Sequence, residues 1–187
     1  MTVAASPGSV FPGPANGSPV STIRPARPSD VSAIVAMVHE LADYERAAEL
    51  CHLTEDQLRS ALFAERPALF GHVAVDPADQ PFGYALWFLN FSTWEGVHGI
   101  YLEDLYVRPY ARGTGAGRAL LSTLAAICVE RGYQRLEWWV LNWNSLARDF
   151  YAAIGAVAMD EWMPYRLSGS ALRAVASAAP TTAAGTG

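Results

Sequence analysis

Apolar residues recur along the chain with two periods, and the alternation between them predicts the elements. Thr22–Arg24 reads as a short strand stopped by Pro25, and Ser29 as the cap of a helix reaching Tyr44, with Val31, Ile34, Val38 and Leu41 on one face. Thr54 and Gln57 have capping-box spacing ahead of a second helix that carries Leu58 and Leu62. Strands follow at Phe70–Val75, Gly83–Phe91 and Gly99–Val107, separated by the turn-forming segments Asp76–Pro81 and Ser92–Gly96. A helix from Gly115 to Arg131 stops at Gly132, and its apolar set is Leu120, Leu121, Leu124, Ile127 and Cys128. Then come a strand at Arg135–Leu141, a helix at Ser145–Ile154 with Gly155 just beyond it, and a segment at Trp162–Leu167 expected to close the sheet. This order predicts an α/β fold, a mixed sheet covered by helices on both faces.

The ends read differently. Pro7, Pro12, Pro14 and Pro19 break every apolar run in residues 1–21, so that stretch is expected to be a disordered tail and not a secretory signal. The Ala/Thr/Ser/Gly stretch 174–187 reads as a second loose tail, which leaves one domain over 22–173. No run reaches the 18 or so apolar residues of a membrane span, and the expected location is cytoplasmic. A net charge of -5 over 187 residues argues against sequence-independent binding to nucleic acid or to an anionic membrane. All 13 basic residues are arginine, which removes a phosphate-loop lysine and a Schiff-base lysine from consideration. Cys51 and Cys128 have neither zinc-ligand spacing nor the density of a disulfide framework, and read as reduced structural thiols. No metal is expected.

Chemistry concentrates in three places. The strand ending Tyr101-Leu-Glu-Asp-Leu-Tyr-Val107 has apolar residues on both faces and a carboxylate on each. Alternation puts Glu103 with Leu105 and Val107, and Asp104 with Leu102 and Tyr106. Such acids are either paired with arginines at the end of the sheet or part of a site, because an unpaired buried carboxylate is costly. Directly after the strand stand Arg112, Gly113, Thr114, Gly115, Ala116, Gly117 and Arg118, opening the long helix. Glycines at a helix N-terminus expose backbone N–H groups to an anion such as a pyrophosphate. The dinucleotide pattern fails because Arg118 stands where its third glycine would be. In the third place, Asn144 caps a short helix on which Ala147 and Tyr151 share a face, while Leu146, Phe150 and Ile154 form the packing stripe.

Taken together, the strand with its acids, R-G-x-G-x-G, and N-x-x-A-x-x-F-Y-x-x-x-G-A resemble the GNAT superfamily of acetyl-CoA-dependent N-acetyltransferases. Ile23-Arg-Pro-Ala, Glu40-Leu-Ala-Asp-Tyr44-Glu45, Leu53-Thr-Glu and Trp94 ahead of Tyr101-Leu-Glu-Asp are similar to the diamine (spermidine/spermine) and thialysine branch, and the likeness covers about residues 22–168. The resemblance implies a mostly antiparallel mixed sheet and acetyl-CoA as cosubstrate. The main chain of Leu105, Tyr106 and Val107 would hold the pantetheine arm like an added strand, and Arg112 to Arg118 would hold the pyrophosphate. Asn144, Ser145, Leu146 and Ala147 would line the far side of the arm. Tyr151 matches the general acid that protonates the leaving thiolate, and Glu103 the acid that binds and deprotonates the amine, directly or through water. Tyr44, Glu45, Trp94, Glu137, Trp138 and Trp139 match positions around the substrate. A homodimer is implied as well.

Charge is uneven. From Glu40 to Asp56 stand Glu40, Asp43, Glu45, Glu49, Glu55 and Asp56 against Arg46 alone, so the whole net charge lies in the first helix–loop–helix. Beside an amine site this run would select cations, with Tyr44, Trp94 and Trp138 as candidates for cation–π contacts. The resemblance has a gap: a substrate acid near the end of the diamine pattern falls on Met163, with Asp160 and Glu161 only nearby. A polyamine, a shorter amine, a lysine analogue and an amino-sugar all remain as acceptors. A non-catalytic CoA-binding module and a peptide or protein N-acetyltransferase are the competing readings.

Overall fold

The computed structural model describes residues 22–180 and divides into a first unit ending at Trp139 and a second beginning at Val140. The expected tail 1–21 and residues 181–187 lie outside the described residues.

The first unit is built on a five-stranded sheet: β1 (Thr22–Pro25), β2 (Phe70–Val75), β3 (Pro81–Ser92), β4 (Val97–Val107) and β5 (Leu136–Glu137). The spatial order is the sequence order; the first four strands are antiparallel and β5 runs parallel to β4. Between β1 and β2 lie α1 (Val31–Tyr44) and α2 (Glu55–Phe63), and between β4 and β5 lies α3 (Ala116–Arg131). Val31, Ile34 and Met37 of α1 and Leu58 and Leu62 of α2 pack into one cluster with Val73, Val75, Tyr84, Leu86 and Tyr106 of the sheet. Alternate positions, including Ala74, Ala85 and Trp87, are buried outside that cluster, as are Leu120, Leu121, Leu124 and Cys128 of α3. The expected two-sided covering results.

Helix starts follow local chemistry. Thr54 accepts from the Gln57 N–H at 3.3 Å and the Gln57 side chain accepts from the Thr54 N–H at 2.9 Å, the expected capping box. Ser29 does not cap α1. Pro28 starts a short 3₁₀ turn over Pro28–Asp30, and Asp30 stands at the cap instead. Its carboxylate accepts from the Arg27 N–H at 2.7 Å and takes a two-pronged contact from Arg24 at 2.7 and 3.0 Å. α3 ends as expected at Gly132, whose φ of +72° is left-handed.

Three expectations are corrected. β5 spans only Leu136–Glu137, so the run 135–141 leaves the sheet almost at once, and no strand forms at Trp162–Leu167, where Trp162, Met163 and Tyr165 are exposed. Between Leu86 and Trp87 the partners on β4 jump from Asp104 to Leu102, a bulge at Glu103. It moves Leu102 to the Trp87 face, away from Asp104 and Tyr106.

The second unit holds α4 (Ser145–Ala153) and α5 (Gly169–Ser177). α5 was not expected and its last residues fall within the stretch 174–187 read as loose. Neither helix has a fully buried residue, as so few residues cannot enclose a core.

Candidate active site

The turn from β4 into α3 passes through Gly113 at φ +79° and Gly115 at φ +90°, and a Cβ at either position would meet nothing within 4 Å. Left-handed backbone, not crowding, therefore calls for glycine here. Ala119 is the first residue to bond back, its N–H donating to the Gly115 carbonyl at 2.9 Å; among the described residues, no N–H from Gly113 to Arg118 donates to a backbone carbonyl. Two contacts tie the turn to the strand before it: Arg112 Nε donates to the Val107 carbonyl at 3.0 Å and Thr114 Oγ1 to the Ala111 carbonyl at 2.8 Å. A run of amides without acceptors at the positive end of a 16-residue helix fits a pyrophosphate.

Beside it lies an open strand edge. β5 pairs with β4 only at Ile100 and Tyr101, so among the described residues Leu105, Tyr106 and Val107 have no strand partner on that side. That edge suits an extended amide-bearing ligand such as a pantetheine arm.

Among the described residues neither Glu103 nor Asp104 forms an ion pair, which overturns the pairing alternative. Glu103, the bulged residue, is exposed, whereas Asp104 turns inward beside Leu86 and Tyr106. Burial, then the negative charges of Glu103 and Glu45, push the Asp104 carboxyl up to about 6. Burial also raises the Glu45 carboxyl. Tyr84, opposite Tyr106, was not expected at the site. It is fully buried, its hydroxyl has no hydrogen-bond partner among the described residues, and burial followed by Asp104 raises its pKa. In the sequence Tyr84 looks like any core aromatic; only the pairing of β3 with β4 places it beside an acid.

Other expected residues scatter. Arg112 lies over the rings of Tyr44 and Tyr106, 5.2 and 5.6 Å from their centroids, so Tyr44 already has a cation on its face. Glu40 pairs with Arg108 at 3.0 Å, which neutralises one acid of the run expected to select cations. Glu137 accepts from Asn90 Nδ2 at 2.7 Å and pairs with Arg135 at 3.0 Å. Trp139 meets Tyr101 edge-on at 6.1 Å, Trp138 is half-buried, and Trp94 is 92% exposed on the β3–β4 turn. Within the second unit, the Asn144 side chain accepts from the Ala147 N–H at 3.2 Å, capping α4 as expected. Tyr151 is half-buried, its ring 5.3 Å from that of Phe150, while Leu146, expected to pack, is 66% exposed.

The chain as a whole is similar to known proteins. The model of the acetyltransferase (GNAT) family matches residues 34–156. A thialysine N-epsilon-acetyltransferase of Bos taurus is 35% identical, covering 82% of this chain and 96% of its own. An L-ornithine N5-acetyltransferase of Arabidopsis thaliana is 32% identical over 83% of this chain and 87% of its own. Among solved structures, an integron cassette protein from the mobile metagenome of V. cholerae superposes with a TM-score of 0.71 at 28% identity, covering 84% of this chain and 98% of that one. A glycine turn at a helix N-terminus, an open strand edge and a bulged acidic strand thus occur in a chain that belongs to the GNAT acetyltransferase family.

Proposed function

We propose that the protein transfers the acetyl group of acetyl-CoA to a primary amine of a small cationic acceptor of the diamine, polyamine or lysine-analogue class. One observation carries this reading: Glu45, Glu103 and Asp104 gather around β4, and among the described residues none of them forms an ion pair. Relatives whose names give thialysine and ornithine as acceptors support it. The non-catalytic alternative loses ground in a family of acetyltransferases.

Roles follow from chemistry. The amides of Gly113 to Arg118 hold the pyrophosphate and the edge of Leu105–Val107 holds the pantetheine arm, with Asn144, Ser145, Leu146 and Ala147 as further contacts. An alkylammonium has a pKa of about 10.4, so it must lose a proton before its nitrogen attacks the thioester carbon. Glu103, exposed at the bulge, takes that proton directly or through water. As the carbon–sulfur bond breaks, the Tyr151 phenol gives its proton to the sulfur, and the nitrogen's second proton restores the phenol through solvent. Tyr44, Glu45, Trp94, Glu137, Trp138 and Trp139 are assigned to the acceptor side. A cytoplasmic homodimer belongs to the same reading, carried over from the branch.

The test is an acceptor panel with acetyl-CoA, following thiol release. 1,4-Diaminobutane, thialysine and ornithine should exceed a neutral amino-sugar and a peptide N-terminus by at least about tenfold in kcat/KM, with the margin shrinking as salt rises. Equal rates across the panel at every ionic strength would refute cation selection.

A further inference from the structure

A cavity of about 280 Å³ opens where β1 ends and the chain turns toward α1. Phe63 of α2 and Ile127 of α3 bound it, together with Phe70 and His72 of β2 and Trp87 of β3. None of the residues assigned to acetyl-CoA or to the acceptor lines it. Phe70 stacks on Trp87 with ring centroids 4.6 Å apart, so two of its walls are aromatic rings already held in place.

Among these walls His72 is polar and only 9% exposed. Trp87 Nε1 donates to His72 Nδ1 at 3.1 Å, and because an indole N–H can only donate, Nδ1 carries no proton. Burial lowers the pKa of the ring, so it stays neutral with its proton on Nε2. That N–H has no hydrogen-bond partner among the described residues and, unlike the Tyr84 hydroxyl, is not sealed off, which leaves the cavity as the space it reaches. Arg131, in the last turn of α3, also lines the cavity; it is exposed and forms no ion pair among the described residues. An arginine at a helix C-terminus is favourable by itself. The dipole does not account for His72, because a buried position that served packing alone gains nothing from an N–H without an acceptor.

Two side-chain donors and no carboxylate, amide or hydroxyl side chain line the cavity, so the ligand must bring the acceptor. One guanidinium matches one negative charge, and the remaining walls take an apolar, ring-shaped body. The volume is at the small end of ligand sites, which run from about 300 to 1,000 Å³, and suits one ring with a short chain. We infer that this cavity binds a small aromatic monocarboxylate, with its carboxylate on His72 Nε2 and Arg131 and its ring against Phe63, Phe70 and Trp87. The inference stands apart from the acceptor reading above.

The experiment titrates the full chain with 3-phenylpropanoate, 3-phenylpropan-1-ol and propanoate by calorimetry. The wild type should bind 3-phenylpropanoate with a Kd below about 1 mM. The alcohol, which lacks the charge, and propanoate, which lacks the ring, should bind at least about tenfold more weakly. Arg131→Gln changes an exposed side chain and should weaken 3-phenylpropanoate about tenfold while moving the alcohol by less than about twofold. Ile127→Trp fills the cavity and should abolish binding of both ring compounds. In nitrogen-15 spectra of the wild-type histidines, the His72 Nε2 resonance should move with 3-phenylpropanoate and not with propanoate at the same concentration. Saturating acetyl-CoA should leave the Kd for 3-phenylpropanoate within about twofold. A weaker Kd than that expected, equal affinity for the three compounds, an unchanged Kd in Arg131→Gln or a stationary His72 resonance would overturn the site. Displacement by acetyl-CoA would overturn it too, by placing the carboxylate in the turn before α3.

Discussion

Gly115→Ala separates the two things that the turn before α3 does. Gly115 has φ +90° and a Cβ there meets nothing within 4 Å, so the substitution adds no clash, only a side chain on left-handed backbone. That strain is about 1–2 kcal/mol. For a chain of this size each kcal/mol lowers Tm by about 2–4 °C, so the variant should melt about 2–8 °C below wild type. Relaxing the strain turns the amides of Gly113 to Arg118 away from their common focus. Losing one hydrogen bond to a charged group is about 1.5–3 kcal/mol, which should raise the Kd for acetyl-CoA by about 10- to 100-fold. Gly132→Ala is the matched control: φ is +72°, a Cβ again meets nothing within 4 Å, and the residue caps the other end of the same helix. It should lose comparable stability and shift Kd by less than about twofold. Calorimetric titration with acetyl-CoA alongside thermal melts reads both quantities. Equal Kd effects in the two variants, or an unchanged Kd in a folded Gly115→Ala protein, would show that the turn does not hold the pyrophosphate.

Two further outcomes are expected. The Asp104 carboxyl is raised from 3.8 to about 6 by burial and by Glu103 and Glu45, so its protonated form is favoured on folding. Stability should therefore be greatest below the unfolded pKa and fall by up to about 3 kcal/mol as pH climbs through 6. Asp104→Asn should then raise Tm at pH 8 and leave it nearly unchanged at pH 4; an equal shift at both pH values would refute the assignment. In catalysis, Tyr151→Phe should lower kcat by about 10²–10⁴-fold at all pH values, whereas the Glu103→Gln defect should shrink as pH rises and acceptors arrive deprotonated. A common, pH-independent loss in both variants would contradict the division of roles.

Much of the architecture is legible in the residues because each signal is local. Thr54 and Gln57 cap α2 by a contact three residues long, Gly132 ends α3 by its own backbone angle, and β2 begins and ends where its apolar run does. What escapes is set by partners distant in sequence. The bulge at Glu103 is a relation between β3 and β4, so simple alternation puts Leu102 on the wrong face. β5 is cut to Leu136–Glu137 by divergence from β4, and nothing within 135–141 announces it. Charge counting fails in the same way: Glu40 counts among six acids until Arg108, far along the chain, is found beside it. The glycine turn before α3 is readable because its glycines fall at every second position of one short stretch; the surroundings of Tyr84 are not, because they come from two strands and a helix connection.

The bulge also bears on which changes the chain tolerates. Removing Glu103 would leave Asp104 next to Leu102 in sequence as their partners Leu86 and Trp87 already are, and would restore an uninterrupted ladder between β3 and β4. A deletion inside a buried strand ordinarily turns every later side chain to the opposite face. Here it would leave each pair from Gly83–Val107 to Ser92–Val97 intact and take away the carboxylate alone. The residue assigned to proton transfer is thus the one that strand pairing does not need. Selection for a tidy sheet and selection for turnover pull in opposite directions at this position, and a library screened for folding alone should enrich chains that have lost it.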